Sequence, residues 1–128
     1  KNVRIMVPFV RTIDEAHRVI ELLAQHGLQR AKDGLKLIMM CEIPSNIVLI
    51  AQFAQLFDGF SIGSNDLTQL VLGVDRDSTL LAPMFNEQDP AVQMMCRLAI
   101  EGAHAKGLPI GICGQGPSDY FDWANKLM

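Results

Sequence analysis

Phe60-Ser61-Ile62-Gly63-Ser64-Asn65-Asp66-Leu67-Thr68-Gln69-Leu70 changes character twice in a short space. Phe60 and Ile62 form the alternating pair of a strand buried in a sheet. Gly63 and Ser64 then turn the backbone. Asn65 and Asp66 set an amide beside a carboxylate, and a helical run starts at Leu67. A carboxylate at the end of a buried strand needs a partner, because an unpaired buried charge is costly. Two partners are open. One is a hard cation such as Mg2+, which takes carboxylate and amide oxygens. The other is the next helix, whose N-terminus Asp and Asn commonly cap.

The strand-then-helix pattern repeats on both sides of this stretch. Arg4 to Val10 reads as a short strand that Pro8 brings to an end. Thr12 and Glu15 are spaced as a capping box. Ile13, Ala16, Val19, Ile20 and Leu23 follow at helical spacing, closed by Gly27. Leu35 to Cys41 is a second strand, and Glu42-Ile43-Pro44-Ser45 leads into a helix expected over 46–57. Asp58-Gly59 turns into the third strand, 60–62. After a short helix over 67–72 comes an irregular segment, 73–86, containing Asp75-Arg76-Asp77. Asp89-Pro90 starts the next helix. Its apolar face is read as Val92, Met95, Leu98, Ala99 and Gly102, and Gly107 closes it. Pro109 to Gly114 is a fourth strand, Gln115-Gly116-Pro117 a turn, and Ser118 the cap of a helix running to Met128.

Four strand–helix units, with strands buried on both faces, predict a parallel α/β sheet. Four units in 128 residues match half of an eight-stranded barrel, which takes about 250. The expected fold is therefore α/β: a partial (β/α)8 TIM-type barrel occupying residues 1–128 as a single domain. A flavodoxin-like open sheet is the alternative.

Composition narrows the function. The net charge is −3 with no basic stripe, which argues against a nucleic-acid partner. The apolar runs are too short to span a membrane, and Lys1-Asn2-Val3-Arg4 is no signal peptide. Cys41, Cys96 and Cys113 are widely spaced and include no C-x-x-C pair, so a zinc or redox motif is unsupported. Free thiols predict a reducing, cytoplasmic setting. Neither end has the polar look of a domain boundary, which predicts a piece of a longer protein.

Arg11, Glu42, Asn65, Asp66, Cys113 and Gln115 all fall just past the C-terminal end of an expected strand. That face of a (β/α) barrel is where active sites are built. Glu42 and Asp66 on neighbouring strand ends suit Mg2+, with waters and a substrate oxoacid completing the sphere. The alternative for Glu42 is an ion pair with Arg11. Arg76, the nearest downstream cation, can clamp a phosphate or be a solvated loop arginine. Cys113 sits between glycines, where a thiol with a lowered pKa can serve as acid or base; the alternative is a small buried hydrophobe. His17, His26 and His104 are read as surface residues.

Cys41-Glu42-Ile43-Pro44-Ser45, Ser61 to Gln69, Asp75-Arg76 and Gly111-Ile112-Cys113-Gly114-Gln115 occur in the order and spacing of one family. They resemble the C-terminal barrel of the phosphoenolpyruvate-utilising enzymes, and the resemblance covers essentially the whole chain. Family members of the most similar kind have a His and a further residue or two after Ser118-Asp119, where this chain runs directly into Tyr120-Phe121. The resemblance implies phosphoryl transfer between a phosphohistidine and pyruvate, giving phosphoenolpyruvate. It implies that Glu42 and Asp66 hold Mg2+. Asn65 and Arg76 would contact the phosphoryl group, with Gly63 and Ser64 in the same binding loop. Cys113 would exchange a proton with the substrate's methyl carbon. The implied partners are pyruvate or phosphoenolpyruvate and a phosphohistidine domain of the parent chain. A Mg2+-dependent aldolase or lyase of the same barrel superfamily is the rival chemistry. The resemblance also implies that the family's phosphohistidine and ATP-binding domains and the first half of the barrel are not in this chain, so the fragment is expected not to turn over alone. A half barrel leaves two raw sheet edges, which predicts a homodimer.

Overall fold

Lys36-Leu37-Ile38-Met39-Met40-Cys41 sends every second side chain to one face of a sheet. Leu37, Met39 and Cys41 are completely buried there, whereas Lys36 is exposed and Ile38 and Met40 are half-buried. In a computed structural model of the chain, which describes residues 3–75, 80 and 82–113, this is strand β2 (Lys36–Cys41). It lies between β1 (Arg4–Val7) and β3 (Gly59–Gly63), and β4 (Ile110–Cys113) follows β3. All three pairings are parallel, with Val7 opposite Met39, Cys41 opposite Ile62 and Gly63 opposite Cys113. Spatial order thus equals chain order. A flavodoxin-like sheet would run 2-1-3-4, so the expected barrel order is the one realised. The expected last helix from Ser118 lies outside the described residues.

Helices cover one face. α1 (Ile13–Gln25) is capped by Thr12, whose Oγ1 accepts from the Glu15 N–H at 3.1 Å. The other half of the expected capping box differs. The Glu15 carboxylate reaches one residue further back, accepting from the Arg11 N–H at 2.7 Å and pairing with its guanidinium at 3.2 Å. Gly27 (φ 84°) and Gly107 (φ 71°) close α1 and the helix over residues 90–105 in the left-handed conformation that glycine adopts without strain. At each, the next residue's N–H bonds back over the last turn, Leu28 to Leu23 at 2.8 Å and Leu108 to Ala103 at 3.0 Å.

The helix expected over 46–57 is instead two short ones, α2 (Pro44–Val48) and α3 (Ile50–Phe53), parted at Leu49. It begins earlier because proline suits a first helical position, where no donor is needed. The crowding of β-branched Ile47, Val48 and Ile50 opposes a regular continuation. α4 (Ser64–Leu72) also begins earlier than its apolar spacing implies. α5 (Pro90–Ala105) starts as expected, with Asp89 accepting from the Ala91 N–H at 2.9 Å. Its buried face is rotated from the expected one: Val92, Cys96, Ala99 and Ala103 are buried and Leu98 is 45% exposed. Small residues win that face because the helix lies close on its neighbours; a Cβ on Gly102 would collide with Cγ2 of Ile50.

The core lies between these helices and the sheet, around Leu37, Met39, Phe53, Phe57, Ile62 and Leu67. The other face is barer than expected. β3 is buried throughout, but Arg4 and Met6 (52% exposed) of β1 are not. With Ile38, Ser61 and Gly111 they line an open hollow of about 430 Å³. Among the described residues no helix is long and apolar enough to cross a membrane.

Where β2 and β3 begin, Arg30 ties the turn together. Its Nε donates to Asp58 Oδ1 at 3.1 Å, and its Nη1 and Nη2 donate to the carbonyls of Gln55 (2.9 Å) and Phe57 (3.3 Å). Asp58 Oδ2 accepts from the N–H of buried Leu37 at 2.8 Å. The pair is partly exposed, so screening discounts its charge, but the guanidinium also satisfies carbonyls. Arg30→Met is expected to cost about 1–2 kcal/mol, read as a lower urea midpoint; an unchanged midpoint would show the tie to be idle.

Candidate active site

Three strand ends converge at the carboxyl edge of the sheet. Glu42 directly follows β2 and is only 2% exposed. Its Oε2 accepts from the backbone N–H of Phe9 at 2.9 Å. Phe9 lies just beyond β1 with φ 51°, a left-handed conformation unusual for a bulky residue. Strain of this kind persists where the surroundings over-determine it. The other oxygen, Oε1, rests against the end of β3: a Cβ on Gly63 would stand 2.5 Å from it. Gly63 has φ −91°, open to any residue, so the glycine is needed there for space.

Ser64, Asn65 and Asp66 form the first turn of α4, not a loop. This corrects the expectation of a binding loop before Leu67. It also settles the capping alternative, since Gly63 is the N-cap and no side chain caps the helix. Ser64 is buried, its carbonyl accepting from Thr68 Oγ1 at 2.7 Å. Asn65 and Asp66 are half-buried. Acidic residues are favoured in a first turn, and this one brings the Asp66 carboxyl against that of Glu42. Burial pushes the Glu42 pKa up, and the charge and hydrogen bond of Asp66 push it further; the Phe9 N–H opposes them.

The expected pair of Glu42 and Asp66 is therefore assembled, with Gly63 between. The ion-pair alternative fails, because Arg11 is exposed and engaged by Glu15. Cys113 is placed by its backbone, opposite Gly63 in the sheet register. Arg76 and Gln115 lie outside the described residues. Two participants went unread: Phe9, which acts through a backbone amide that any residue carries, and Asn46, which the sequence presents as an ordinary helix-start residue.

Two carboxyl groups held together, one of them buried, cannot both ionise without cost, and either a shared proton or a bound cation relieves it. Among the described residues no group of three or more His, Cys, Asp or Glu gathers, so the site offers two carboxylates and not a closed protein cage. Mg2+ fits that donor set, since it keeps several waters and takes one or two carboxylates.

Cys41 and Cys96 are buried core residues. Burial is the main cause of thiol pKa values pushed up to about 12, with Cys96 and Glu42 adding to the first and Glu87 to the second. The thiolate is the reactive form. Both are expected to resist iodoacetamide at neutral pH until the chain unfolds, as peptide mass mapping would show; rapid labelling of either in the folded chain would contradict this burial.

Fold and site define a partial (β/α) barrel with a carboxylate pair at the carboxyl end of its strands. The chain belongs to the PEP-utilising enzyme, PEP-binding domain family, whose model matches residues 1–124. It is 58% identical over 127 residues to the phosphoenolpyruvate synthases of Neisseria meningitidis and Escherichia coli, and 60% identical to that of Pseudomonas aeruginosa. Each alignment takes in 99% of this chain and 16% of the relative, so the chain spans about a sixth of those proteins. Among solved structures it resembles a HpcH/Hpal aldolase/citrate lyase family protein from Burkholderia cenocepacia, with TM-score 0.69 and 15% identity. It also resembles the citrate synthase SbnG, with TM-score 0.66 and 19% identity. The chain covers 55% and 52% of those folds. At these identities the likeness concerns fold alone, and it is that of half a barrel.

Proposed function

We propose that the chain carries the Mg2+-binding and proton-transfer part of a phosphoenolpyruvate synthase. The reaction is ATP + pyruvate + water giving AMP + phosphoenolpyruvate + phosphate, through a phosphohistidine on another domain of the parent. The observation that carries this reading is the Glu42–Asp66 pair at two adjacent strand ends, in a chain 58% identical to proteins of that name.

Glu42 and Asp66 hold the cation, with Glu42 fixed by the Phe9 N–H and given room by Gly63. Bound there, Mg2+ supplies positive charge that favours proton loss beside a carbonyl. Cys113 takes that proton from the methyl carbon of pyruvate and returns it in the reverse direction. The pyruvate oxygen forms the new bond to phosphorus as the phosphohistidine N–P bond breaks. Asn65 and Arg76 orient the phosphoryl group, and Gly63 and Ser64 shape the wall beside it. The same reading expects the chain to act in the cytoplasm and to pair with a second copy.

The test is to supply the parent protein with ATP and pyruvate and follow phosphate. Release of phosphate with AMP and phosphoenolpyruvate supports the synthase, and loss of that activity in Cys113→Ala supports the proton-transfer role. Consumption of phosphate with formation of pyrophosphate would replace it with a pyruvate phosphate dikinase. Absence of ATP chemistry would point to enzyme I of the sugar phosphotransferase system or to a lyase.

A further inference from the structure

Asn46 is completely buried, and both polar atoms of its amide are hydrogen-bonded. Oδ1 accepts from the backbone N–H groups of Glu42 (3.2 Å) and Ile43 (3.1 Å). Nδ2 donates to the carbonyl of Val10 at 2.6 Å. The bond to Ile43 is what a residue in this position of α2 makes when it caps the helix. Capping gives no reason for the other two. Those two join the segment after β2 to the segment after β1, and they do so around one side chain. Glu42 is held at its root by Asn46 and at its head by the N–H of Phe9, the residue preceding Val10. Ser45 adds an outer tie, its Oγ donating to the Arg11 carbonyl at 2.8 Å.

We infer that Asn46 is a positioning residue for the cation site: by binding Glu42 N–H and Val10 C=O together, it sets the distance between the Phe9 amide and the Glu42 carboxylate. The inference rests on the cation reading above. Asn46 itself touches no substrate. It keeps Phe9 in its left-handed conformation and so holds Glu42 Oε2, leaving Oε1 against Gly63. Outer groups that orient a metal ligand are typically worth about 10–100-fold in metal affinity.

The experiment is Mn2+ binding by the full 128-residue chain, followed by electron paramagnetic resonance at a temperature where circular dichroism shows the chain folded. Mn2+ stands in for Mg2+ because both suit carboxylate and water ligands. Asn46→Ala is expected to bind about 10–100-fold more weakly. A plain helix cap would lower thermal stability but leave the affinity of the folded chain unchanged, and that result overturns the inference. Should Asn46→Ala fail to fold, Asn46→Asp decides. It keeps the shape and the acceptor, loses the donor to Val10, and adds a negative charge that by itself tightens cation binding. Weaker binding despite that charge supports positioning; equal or tighter binding overturns it. A wild-type chain that binds no Mn2+ overturns the cation reading and this inference with it. Wild-type binding that both variants match overturns this inference alone.

Discussion

Glu42→Gln should melt above the wild type in the absence of metal at neutral pH, and should lose the further stabilisation that Mg2+ gives. The two effects have opposite signs and one cause. Folding raises the Glu42 pKa above its ordinary 4.5, through burial first and the neighbouring Asp66 second. A group raised in this way contributes its stability in full below the unfolded value and loses it as pH climbs through the folded one. The metal-free wild type therefore weakens relative to Glu42→Gln as pH rises above about 4.5, and the gap closes again below it. A neutral amide never ionises and can still accept from the Phe9 N–H. With Mg2+ at about 100 times its dissociation constant the wild type gains about 2.7 kcal/mol, and the variant should gain little of this. Thermal scans of both chains across pH, with and without Mg2+, check both parts. A variant that melts lower without metal, or responds to Mg2+ like the wild type, contradicts the carboxylate pair as the cation seat.

Gly63→Ala should damage stability and site together. Its Cβ would meet Glu42 Oε1 at 2.5 Å, Glu42 Cβ at 3.0 Å and Met40 Cε at 3.2 Å. Every residue of β3 is buried, so the strand has little room to retreat and the carboxylate must leave. Overpacking of this kind costs about 1–3 kcal/mol, and the displaced ligand should weaken Mn2+ binding by at least about 10-fold. A double-mutant cycle separates the two contacts. On a Glu42→Ala background the stability cost of Gly63→Ala should fall well below its cost in the wild type, because the oxygen it strikes is gone. Additive costs would place the clash elsewhere, with Met40.

Much of this was legible beforehand, for identifiable reasons. Apolar alternation in Leu37, Met39 and Cys41 and the Asp89-Pro90 start are local signals, and the structure follows them. Glu42 and Asp66 were brought together by placing each at a strand end. The start of α4 was not legible: Gly63 caps without a side chain, and the apolar spacing begins only at Leu67. The turn of α5 toward Cys96, Ala99 and Ala103 depends on how closely its neighbours approach, which apolar spacing does not encode. Arg11 is a candidate partner for Glu42 because both sit on one rim, but Glu15, in the first turn of the helix that follows Arg11, takes its guanidinium. Asn46 joins residues far apart in the chain, and its type alone suggests nothing beyond a cap.

The strand order β1-β2-β3-β4 bears on how the protein is made. Each strand after β1 pairs with the one the ribosome delivered just before it, so it can dock as soon as it is made. Parallel pairings form slowly because each closes a long loop, but translation at about 5–20 residues per second leaves each unit seconds to dock before the next emerges. The sheet can thus grow in step with synthesis. The consequence is exposure: at every pause the newest strand presents an unpaired edge. A translational stall after β2 or β3 would hold that edge open, and those are the points at which nascent chains of this protein would stick to one another.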